Sequence, residues 1–289
     1  MPGNCRVLDS GRVGGGCISD AQRVDVQDHD GRERILFVKR NDLSFLDNFQ
    51  SEWDGLTRLS DAQVIGVPRP LAVGASGESA WLITEWIESG RRENDFFVRF
   101  GRDLAELHRA TLGDRIGLDR DNYLGSARQL NSPDNFNSPG ISWPDFFAEQ
   151  RIGFQIRWAV DQGLADTRLA ADGERIAGEM DRLLEGRENA TSLLHGDLWS
   201  GNYLVDELGA PVIIDPAVYY GHREADLAMV LLFGGFPPEF IAAYDEAWPL
   251  ESCWQERVEI YKLFHLVNHV NLFGDSYVDG CMRILRRFV

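Results

Sequence analysis

Residues 195–202 constrain the fold of this 289-residue chain more than any other segment. They read H-G-D-L-W-S-G-N, and a short apolar run at 212–214 leads directly into Asp215. A loop of the form H-x-D-x-x-x-x-N provides a carboxylate base and an amide ligand for a metal ion, and an Asp after a following buried strand provides a second ligand. The segment therefore predicts a phosphoryl-transfer site in which Asp197 is the base and Asn202 and Asp215 hold magnesium.

The same stretch also predicts how these side chains meet. Residues 203–205 and 212–214 are apolar and read as two strands joined by a turn. Because the strands of a hairpin run in opposite directions, Asn202 and Asp215 should lie at the same end. Aspartates are common at turns, so Asp197 or Asp215 alone would indicate no chemistry. The joint pattern favours the functional interpretation.

The N-terminal part predicts a small antiparallel sheet with one main helix. Residues 23–26 and 34–39 read as one strand pair, and residues 71–73 and 80–86 read as another. Apolar residues recur at helical spacing over 42–59, which predicts a helix between the two pairs.

This part of the chain also contains the residues predicted to bind a nucleotide. Lys39, at a strand end, can hold the α- and β-phosphates of ATP, and Glu52 is placed to pair with it. Such a pair alone would more often be a surface ion pair. A glycine-rich segment between the first two strands predicts backbone N–H groups over the phosphates, and the end of the strand at 80–86 predicts a hinge whose backbone binds adenine. The predicted nucleotide-binding residues are Gly14, Gly15, Gly16, Cys17, Ser19, Lys39, Glu52, Glu85, Trp86 and Ile87.

Beyond residue 88 the chain is predicted to be mainly helical. Helices are expected at 94–110, 143–158, 171–184 and from 225 onward, short strands at 192–194, 203–205 and 212–214, and a long polar loop at 122–144. The predicted fold class is therefore α+β, with a small sheet lobe at 1–88 and a larger helical, catalytic and acceptor-binding lobe at 89–289.

Composition narrows the range of partners. The net charge of −17 argues against nucleic acid, because phosphate backbones attract clustered Lys and Arg. The longest apolar run, 227–233, is too short to span a bilayer, the N-terminus lacks a signal-peptide pattern, and the four cysteines lack metal-ligand spacing. These observations predict a cytoplasmic protein, monomeric or homodimeric, without a membrane partner.

The motifs together resemble the fructosamine kinase (ketosamine-3-kinase) family, within the aminoglycoside and choline kinase group. The resemblance extends over nearly the whole chain and is strongest at residues 194–202 (L-H-G-D-L-W-S-G-N) and from Asp215 to Glu224. Further matches are G-G-C-I-S at 15–19, F-V-K at 37–39, F-G-G-F-P at 233–237 and L-V-N-H at 266–269. Asp215-Pro216-Ala217 lacks the glycine of the protein-kinase D-F-G motif, and no A-P-E motif follows, which disfavours substrates recognised as peptides.

The resemblance implies a protein-kinase-like fold, the cofactors ATP and Mg²⁺, and phosphorylation of the 3-hydroxyl of ketosamines, which are sugars attached to amines by glycation. The product is unstable, so small-molecule or protein-bound amines would be released and deglycated. Bacterial members resemble ribulosamine or erythrulosamine kinases more than strict fructosamine kinases. Asp197 would deprotonate the hydroxyl, and Trp199, His195 and His269 would contact the substrate.

Three alternatives stay open at this point. The acceptor could be another small alcohol, such as an aminoglycoside, choline or a hydroxy amino acid. The chain could also be a catalytically inactive nucleotide-binding module, although every residue expected of an active site is present. Cys17, inside the glycine-rich loop, is a candidate redox-sensitive thiol, since a backbone rich in N–H groups can lower a thiol pKa.

Overall fold

The computed structural model describes residues 5–14, 18–131, 141–186 and 190–288. Its N-terminal lobe is one antiparallel sheet in the order β1-β2-β3-β5-β4, with a single helix between β3 and β4. The elements are β1 Arg6–Arg12, β2 Asp20–Gln27, β3 Glu33–Asp42, α1 Leu46–Asp61 after a 3-10 turn at Leu43–Phe45, β4 Pro70–Ser76 and β5 Ser79–Glu85.

Strand alternation decides which face of this sheet meets α1. Leu36 and Val38 point to a face that they share with other buried apolar residues of the sheet. Lys39, the next residue, is the register partner of Leu82, which packs with Phe49 of α1. Because successive side chains on a strand point to opposite faces, Lys39 projects toward the helix.

The C-terminal lobe is mainly helical, and its described residues include the two-stranded sheets β6–β7, β9–β10 and β8–β11. Its elements are α2 Phe96–Ala110, β6 Asn122–Leu124, β7 Ala127–Gln129, α3 Trp143–Phe146, a π-helical segment Phe147–Gly153, α4 Phe154–Asp161, α5 Thr167–Gly178, α6 Met180–Leu183, β8 Ser192–Leu194, β9 Tyr203–Val205, β10 Pro211–Ile213, β11 Tyr219–Gly221, α7 Glu224–Leu232, α8 Pro238–Ala247, α9 Trp254–Phe273, a 3-10 turn Asp275–Tyr277 and α10 Val278–Phe288.

The predicted two-lobed α+β architecture is confirmed, and several element bounds are corrected. The sheet begins with β1, whose bounds the sequence pattern did not indicate, and β3 continues past Lys39 to Asp42. The stretch 122–144 is not wholly a loop, because it contains the β6–β7 hairpin and the start of α3. The helix predicted at 143–158 contains a π-helical segment. In the described part of the chain, no helix has the length and apolar character needed to cross a membrane.

Candidate active site

The two lobes meet at a cluster of three charged side chains. Lys39 Nζ donates to Glu52 Oε1 and to Asp215 Oδ1, both at 2.7 Å. Lys39 and Glu52 are largely buried, whereas the side chain of Asp215 is 43% exposed. The predicted Lys39–Glu52 pair therefore forms, and Lys39 also bridges β3 of one lobe to the segment after β10 of the other.

Burial and charge oppose one another in this cluster. Burial alone would lower the pKa of Lys39, but the adjacent carboxylates of Asp215 and Glu52 outweigh it and raise that pKa. Burial raises the pKa of Glu52 to about 7, against the opposing attraction of Lys39. Lys39 is thus a cation at neutral pH, and its ammonium group can exchange a carboxylate for a phosphate oxygen.

Asp197 and Asn202 form the second part of the site. Asn202 Nδ2 donates to the backbone oxygen of Asp197 at 2.8 Å and to its Oδ2 at 3.1 Å. Burial, reinforced by the negative charge of Asp215, raises the pKa of Asp197 well above its usual value, and the bond from Asn202 opposes that rise. A higher proton affinity is what a carboxylate needs in order to accept a proton from a hydroxyl group.

The backbone of the loop that carries Asp197 is hydrogen-bonded to a buried carboxylate. Asp226 of α7 accepts the backbone N–H of His195 at 2.7 Å and that of Gly196 at 2.8 Å, and His108 Nε2 lies 3.1 Å from the same carboxylate. Burial would raise the pKa of Asp226, but the hydrogen bonds from His108 and from the Gly196 N–H lower it. Asp226 is therefore ionised, and it fixes the backbone next to Asp197.

His195 belongs to this support and not to the substrate contact predicted from the sequence. Its ring is fully buried, Nδ1 accepts the N–H of Asp197 at 3.2 Å, and Nε2 donates to the Ile214 carbonyl at 2.9 Å. These two bonds require the neutral ring protonated at Nε2, and burial lowers the pKa of His195 accordingly. The prediction that His195 contacts the substrate is therefore corrected, because neither ring nitrogen faces the cleft.

Backbone geometry explains two residues of the motif. Gly196 has φ +82°, and a Cβ atom there would lie 2.1 Å from the Ala217 carbonyl oxygen, so only glycine fits. Asp215 itself adopts φ +56°, a left-handed conformation that is uncommon outside glycine and is found at functional sites.

The donor set fits a hard divalent cation held partly by phosphate. Because both contacts of Asn202 use its amide nitrogen, the amide oxygen is the atom that can bind a cation, and Asp215 contributes a half-exposed carboxylate. Within the described ranges, no group of three or more His, Cys, Asp and Glu residues could hold a metal by itself. Mg²⁺ is usually bound by one or two carboxylates together with substrate phosphates, so this sparse set suits it.

The predicted hinge follows β5 and connects the lobes. Glu85 accepts the N–H of Arg69 at 2.9 Å, and the indole N–H of Trp86 donates to Glu88 at 3.0 Å. Just beyond, Gly90 donates to the Val205 carbonyl of β9 at 2.9 Å. Residues Glu85, Trp86 and Ile87 are partly buried. The hydrogen bond from Gly90 thus connects the end of the predicted hinge to the C-terminal lobe.

The glycine-rich loop is only partly described. Gly15, Gly16 and Cys17 lie outside the described residues, so the predictions made for them stay predictions. Gly14 is exposed with open space around it, and Asn41 Nδ2 donates to Ser19 Oγ at 3.2 Å.

The other two predicted substrate residues lie at or near the surface. Trp199 is 38% exposed, and its ring lies over Gly201, where a Cβ atom would come within 2.3 Å of the ring. His269, near the end of α9, is partly buried and its Nδ1 donates to the His265 carbonyl at 2.7 Å.

A polar network that the sequence patterns did not indicate joins the β6–β7 hairpin to the segment that follows Asp215. Asn122 Nδ2 donates to the Val218 carbonyl at 2.7 Å, and Gln129 Nε2 donates to the Ala217 carbonyl at 3.1 Å. Both side chains are buried. The hairpin therefore holds the backbone that follows Asp215.

The same hairpin region contacts α1 on its other side. Arg58 donates to both carboxylate oxygens of Asp119, at 2.7 and 2.9 Å, and Asp47 accepts from Arg120 and from the Tyr123 hydroxyl at 2.9 Å. Ion pairs at the surface thus connect the helix that carries Glu52 to the C-terminal lobe.

The fold and the site together define a phosphotransferase of the protein-kinase-like class. A choline kinase of Streptococcus pneumoniae has the same fold, with a TM-score of 0.62 at 15% identity over 98% of this chain and 95% of that one. The sequence model of the fructosamine kinase family matches residues 3–289. The chain belongs to the fructosamine kinase family, and the resemblance stated from its motifs is confirmed.

Individual relatives agree with this membership. A Synechocystis protein named "Probable ketoamine kinase" is 38% identical over 284 residues, covering 98% of this chain and 90% of that protein. The chloroplastic protein-ribulosamine 3-kinase of Oryza sativa subsp. japonica is 38% identical over 278 residues, covering 94% and 76%. The crystal structure of a candidate fructosamine-3-kinase from Thermobifida fusca has a TM-score of 0.80 and 33% identity, covering 97% and 93%.

Proposed function

We propose that this protein transfers the γ-phosphate of ATP to the 3-hydroxyl of a ketosamine, with Mg²⁺ as the metal. The observation that carries the proposal is the meeting of five residues between the two lobes. Lys39 contacts Glu52 and Asp215 at 2.7 Å, Asn202 donates to Asp197 at 3.1 Å, and the Ile214 N–H, next to Asp215, donates to the Asn202 carbonyl at 3.0 Å. Family membership supports the acceptor class, since the relatives named above are ketoamine and ribulosamine kinases.

Each residue has a distinct part in this reaction. Lys39 binds the α- and β-phosphates while Glu52 keeps its ammonium group in place. Asn202 and Asp215 would hold Mg²⁺, whose positive charge would offset that of the phosphates. Asp197 accepts the proton of the attacking sugar hydroxyl, and the Asn202 amide fixes the orientation of its carboxylate.

Trp199 is proposed to contact the sugar. Its exposed ring lies two residues from Asp197, and an aromatic face suits both the C–H face of a sugar and a nearby ammonium group. Glu85, Trp86 and Ile87 are proposed to bind adenine through their backbone.

The test measures ADP release from Mg-ATP with ribulosamine, erythrulosamine and fructosamine adducts, beside choline and an aminoglycoside. Turnover of a ketosamine that is lost in Asp197→Asn, with the fold intact by circular dichroism, is the expected result. Turnover of choline or the aminoglycoside, with no turnover of any ketosamine, would show that the acceptor is a different class of alcohol. Nucleotide binding without turnover of any acceptor would favour an inactive module.

A further inference from the structure

A fully buried arginine of the π-helical segment packs against β11, the strand that follows Asp215 in the sequence. The guanidinium group of Arg151 donates to the Leu130 carbonyl and, at 2.8 Å, to Oδ1 of Asn131. Its Cζ atom lies 4.2 Å from the ring centroid of Tyr219 on β11. Burial lowers the pKa of Arg151 to about 10, so the group is a cation at pH 7. Arg151 is thus a charged hydrogen-bond donor inside the C-terminal lobe.

Packing alone does not explain this buried charge. The Nε–H group of Arg151 has no acceptor in the part of the chain that the structure describes. Well-packed apolar side chains of similar volume often stabilise a buried position at least as well as charged ones do. Arginine is therefore expected at this position for what its N–H groups bind.

Three buried amide side chains continue the hydrogen bonding from this arginine. Asn131 Nδ2 donates to Asn122 Oδ1 at 2.7 Å, and Gln129 Nε2 donates to the same oxygen at 2.8 Å. Asn122 Nδ2 then donates to the Val218 carbonyl at 2.7 Å. All three amide side chains are buried. The four side chains that we call the amide network are those of Arg151, Asn131, Asn122 and Gln129.

The arginine favours one direction for these bonds. A guanidinium group can only donate, so it binds the oxygen of the Asn131 amide and leaves the nitrogen for Asn122. Asn122 accepts with its oxygen and therefore presents its own nitrogen to the Val218 carbonyl. Without a donor at the start of the network, the Asn131 oxygen loses its partner, and an amide that turned over would present an oxygen to a carbonyl.

The backbone at the end of the amide network lies against both parts of the candidate site. The Ala217 N–H donates to the His195 carbonyl at 2.9 Å, and a Cβ atom on Gly196 would lie 2.1 Å from the Ala217 oxygen. Ala217 is also two residues from Asp215, and it accepts a bond from the amide network. A shift of this backbone would therefore move the predicted metal ligand and the loop that carries Asp197 together.

We propose that Arg151 is a positioning residue for phosphoryl transfer, which acts through the amide network on the backbone between Asp215 and β11. The proposal rests on the proposed function, because it concerns the alignment of the residues that would carry out that reaction. Arg151 is fully buried and acts only through its neighbours. Its removal should therefore lower kcat while the acceptor binds almost as well as before.

The experiment compares Arg151→Met with Arg151→Lys. Methionine keeps much of the buried volume but has no donor, whereas lysine keeps a charged group that can only donate. Kinetics are measured with Mg-ATP and the ketosamine that the wild type turns over best, at a temperature where every variant is folded. Arg151→Met should lower kcat by about tenfold or more with less than about a threefold change in KM for the acceptor, and Arg151→Lys should recover a large part of kcat.

Arg223→Met is the matched control. Arg223 is also a buried arginine that donates to two carbonyls, those of Trp248 and Pro249, and its Cζ atom lies 3.8 Å from the Trp248 ring centroid. It takes no part in the amide network. Arg223→Met should therefore lower the melting temperature about as much as Arg151→Met does, with a much smaller fall in kcat.

Hydrogen exchange followed by mass spectrometry gives a second result that does not depend on turnover. The backbone amides of residues 217–219 should exchange faster in Arg151→Met than in the wild type, because the network that holds this segment is interrupted. They should exchange at nearly the wild-type rate in Arg151→Lys and in Arg223→Met.

Four outcomes would overturn the proposal. If kcat fell no more in Arg151→Met than in Arg223→Met, the arginine would serve packing alone. Equal losses of kcat in the methionine and lysine variants of Arg151 would show that a donor at this position is not what matters. Unchanged exchange at 217–219 in Arg151→Met would contradict the link to the site. A wild type that turns over no acceptor would contradict the proposed function, and the role of Arg151 in that reaction with it.

Discussion

The two halves of the candidate site are held by different kinds of interaction. In the C-terminal lobe, the buried carboxylate of Asp226 accepts two backbone N–H groups from the loop with Asp197. In the N-terminal lobe, the helix with Glu52 contacts the C-terminal lobe through side chains at the surface, such as Arg58 with Asp119. Losing one partner of a buried charge network costs several kcal/mol, whereas an exposed ion pair contributes about 0.2 to 1 kcal/mol.

This difference indicates that the loop with Asp197 is held rigidly while the N-terminal lobe can adjust. The catalytic loop has no alternative partner for its N–H groups once Asp226 is removed, and water does not easily reach them. Helix α1 packs closely on the lower lobe at Gly55, where a Cβ atom would lie 3.1 Å from Pro216, but its ion pairs can be replaced by water. Substitutions in the two halves should therefore differ in size.

The largest effect is expected from Asp226→Asn. The amide has only one acceptor oxygen, so the N–H of His195 or that of Gly196 loses its partner, and the bond to His108 loses its charge. The free energy of unfolding should fall by about 3 to 5 kcal/mol, and kcat should fall with it. Urea unfolding and steady-state kinetics measure both. Asp245→Asn is the control, since Asp245 is exposed and accepts one N–H, from Leu250 at 2.6 Å; equal losses in the two variants would contradict the buried-support account.

Gly196→Ala should have the next largest effect. The new Cβ atom would approach the Ala217 oxygen, and the residue would keep an unfavourable positive φ, so destabilisation above about 2 kcal/mol is expected. Gly163 has φ +70° with open space around it, and Gly163→Ala therefore measures the backbone strain alone, about 1 kcal/mol. Similar unfolding curves for the two variants would show that the close approach has no consequence.

Glu52→Gln should change activity more than stability. The amide can still accept a bond from Lys39 but no longer holds it by charge, so kcat/KM for ATP should fall about tenfold or more, a change of ~1.4 kcal/mol. Glu259→Gln provides the matched control, because Glu259 forms an ion pair of the same length, 2.7 Å, with Lys262 on α9. An unchanged kcat/KM in Glu52→Gln would remove Glu52 from the proposed nucleotide site.

The smallest effect is expected from Asp119→Asn, which weakens one tie between α1 and the lower lobe. The loss in unfolding free energy should be about 0.2 to 1 kcal/mol and should shrink as salt is added. Asp95→Asn weakens the Arg99–Asp95 pair at the N-terminal end of α2 and controls for ion pairs that do not join the lobes. If Asp119→Asn lowered the free energy of unfolding as much as Asp226→Asn, the two halves of the site would not differ in how strongly they are held.

The sequence predicted the parts of the site that local patterns encode. The sequence put Lys39 at the end of a strand, and helical spacing put Glu52 on the inner face of the following helix, so their pair could be expected. Asn202 and Asp215 flank two short apolar strands, and the hairpin that joins them follows from that pattern. All of these residues lie where the two lobes meet.

The supporting network could not be predicted in this way. Asp226 lies in a helix whose polar and apolar residues are nearly all buried, so no amphipathic pattern separates it from its neighbours. Asn122 and Gln129 belong to strands of three residues, too short for alternation to indicate a sheet. Their buried amides bond to the Val218 and Ala217 carbonyls, and Gln129 also donates to Asn122 at 2.8 Å, so their partners lie far away in the sequence or across the hairpin. His195 was misassigned because the motif does not indicate which of its side chains face the cleft.

Phosphorus NMR of the reaction of Mg-ATP with a ribulosyl-lysine adduct tests the central claim most directly. A new phosphomonoester signal coupled to the proton on the sugar's third carbon, absent with Asp197→Asn, is the predicted result, followed by release of the free lysine. ATP converted only to ADP and inorganic phosphate, or a phosphomonoester formed equally well by Asp197→Asn, would contradict the account.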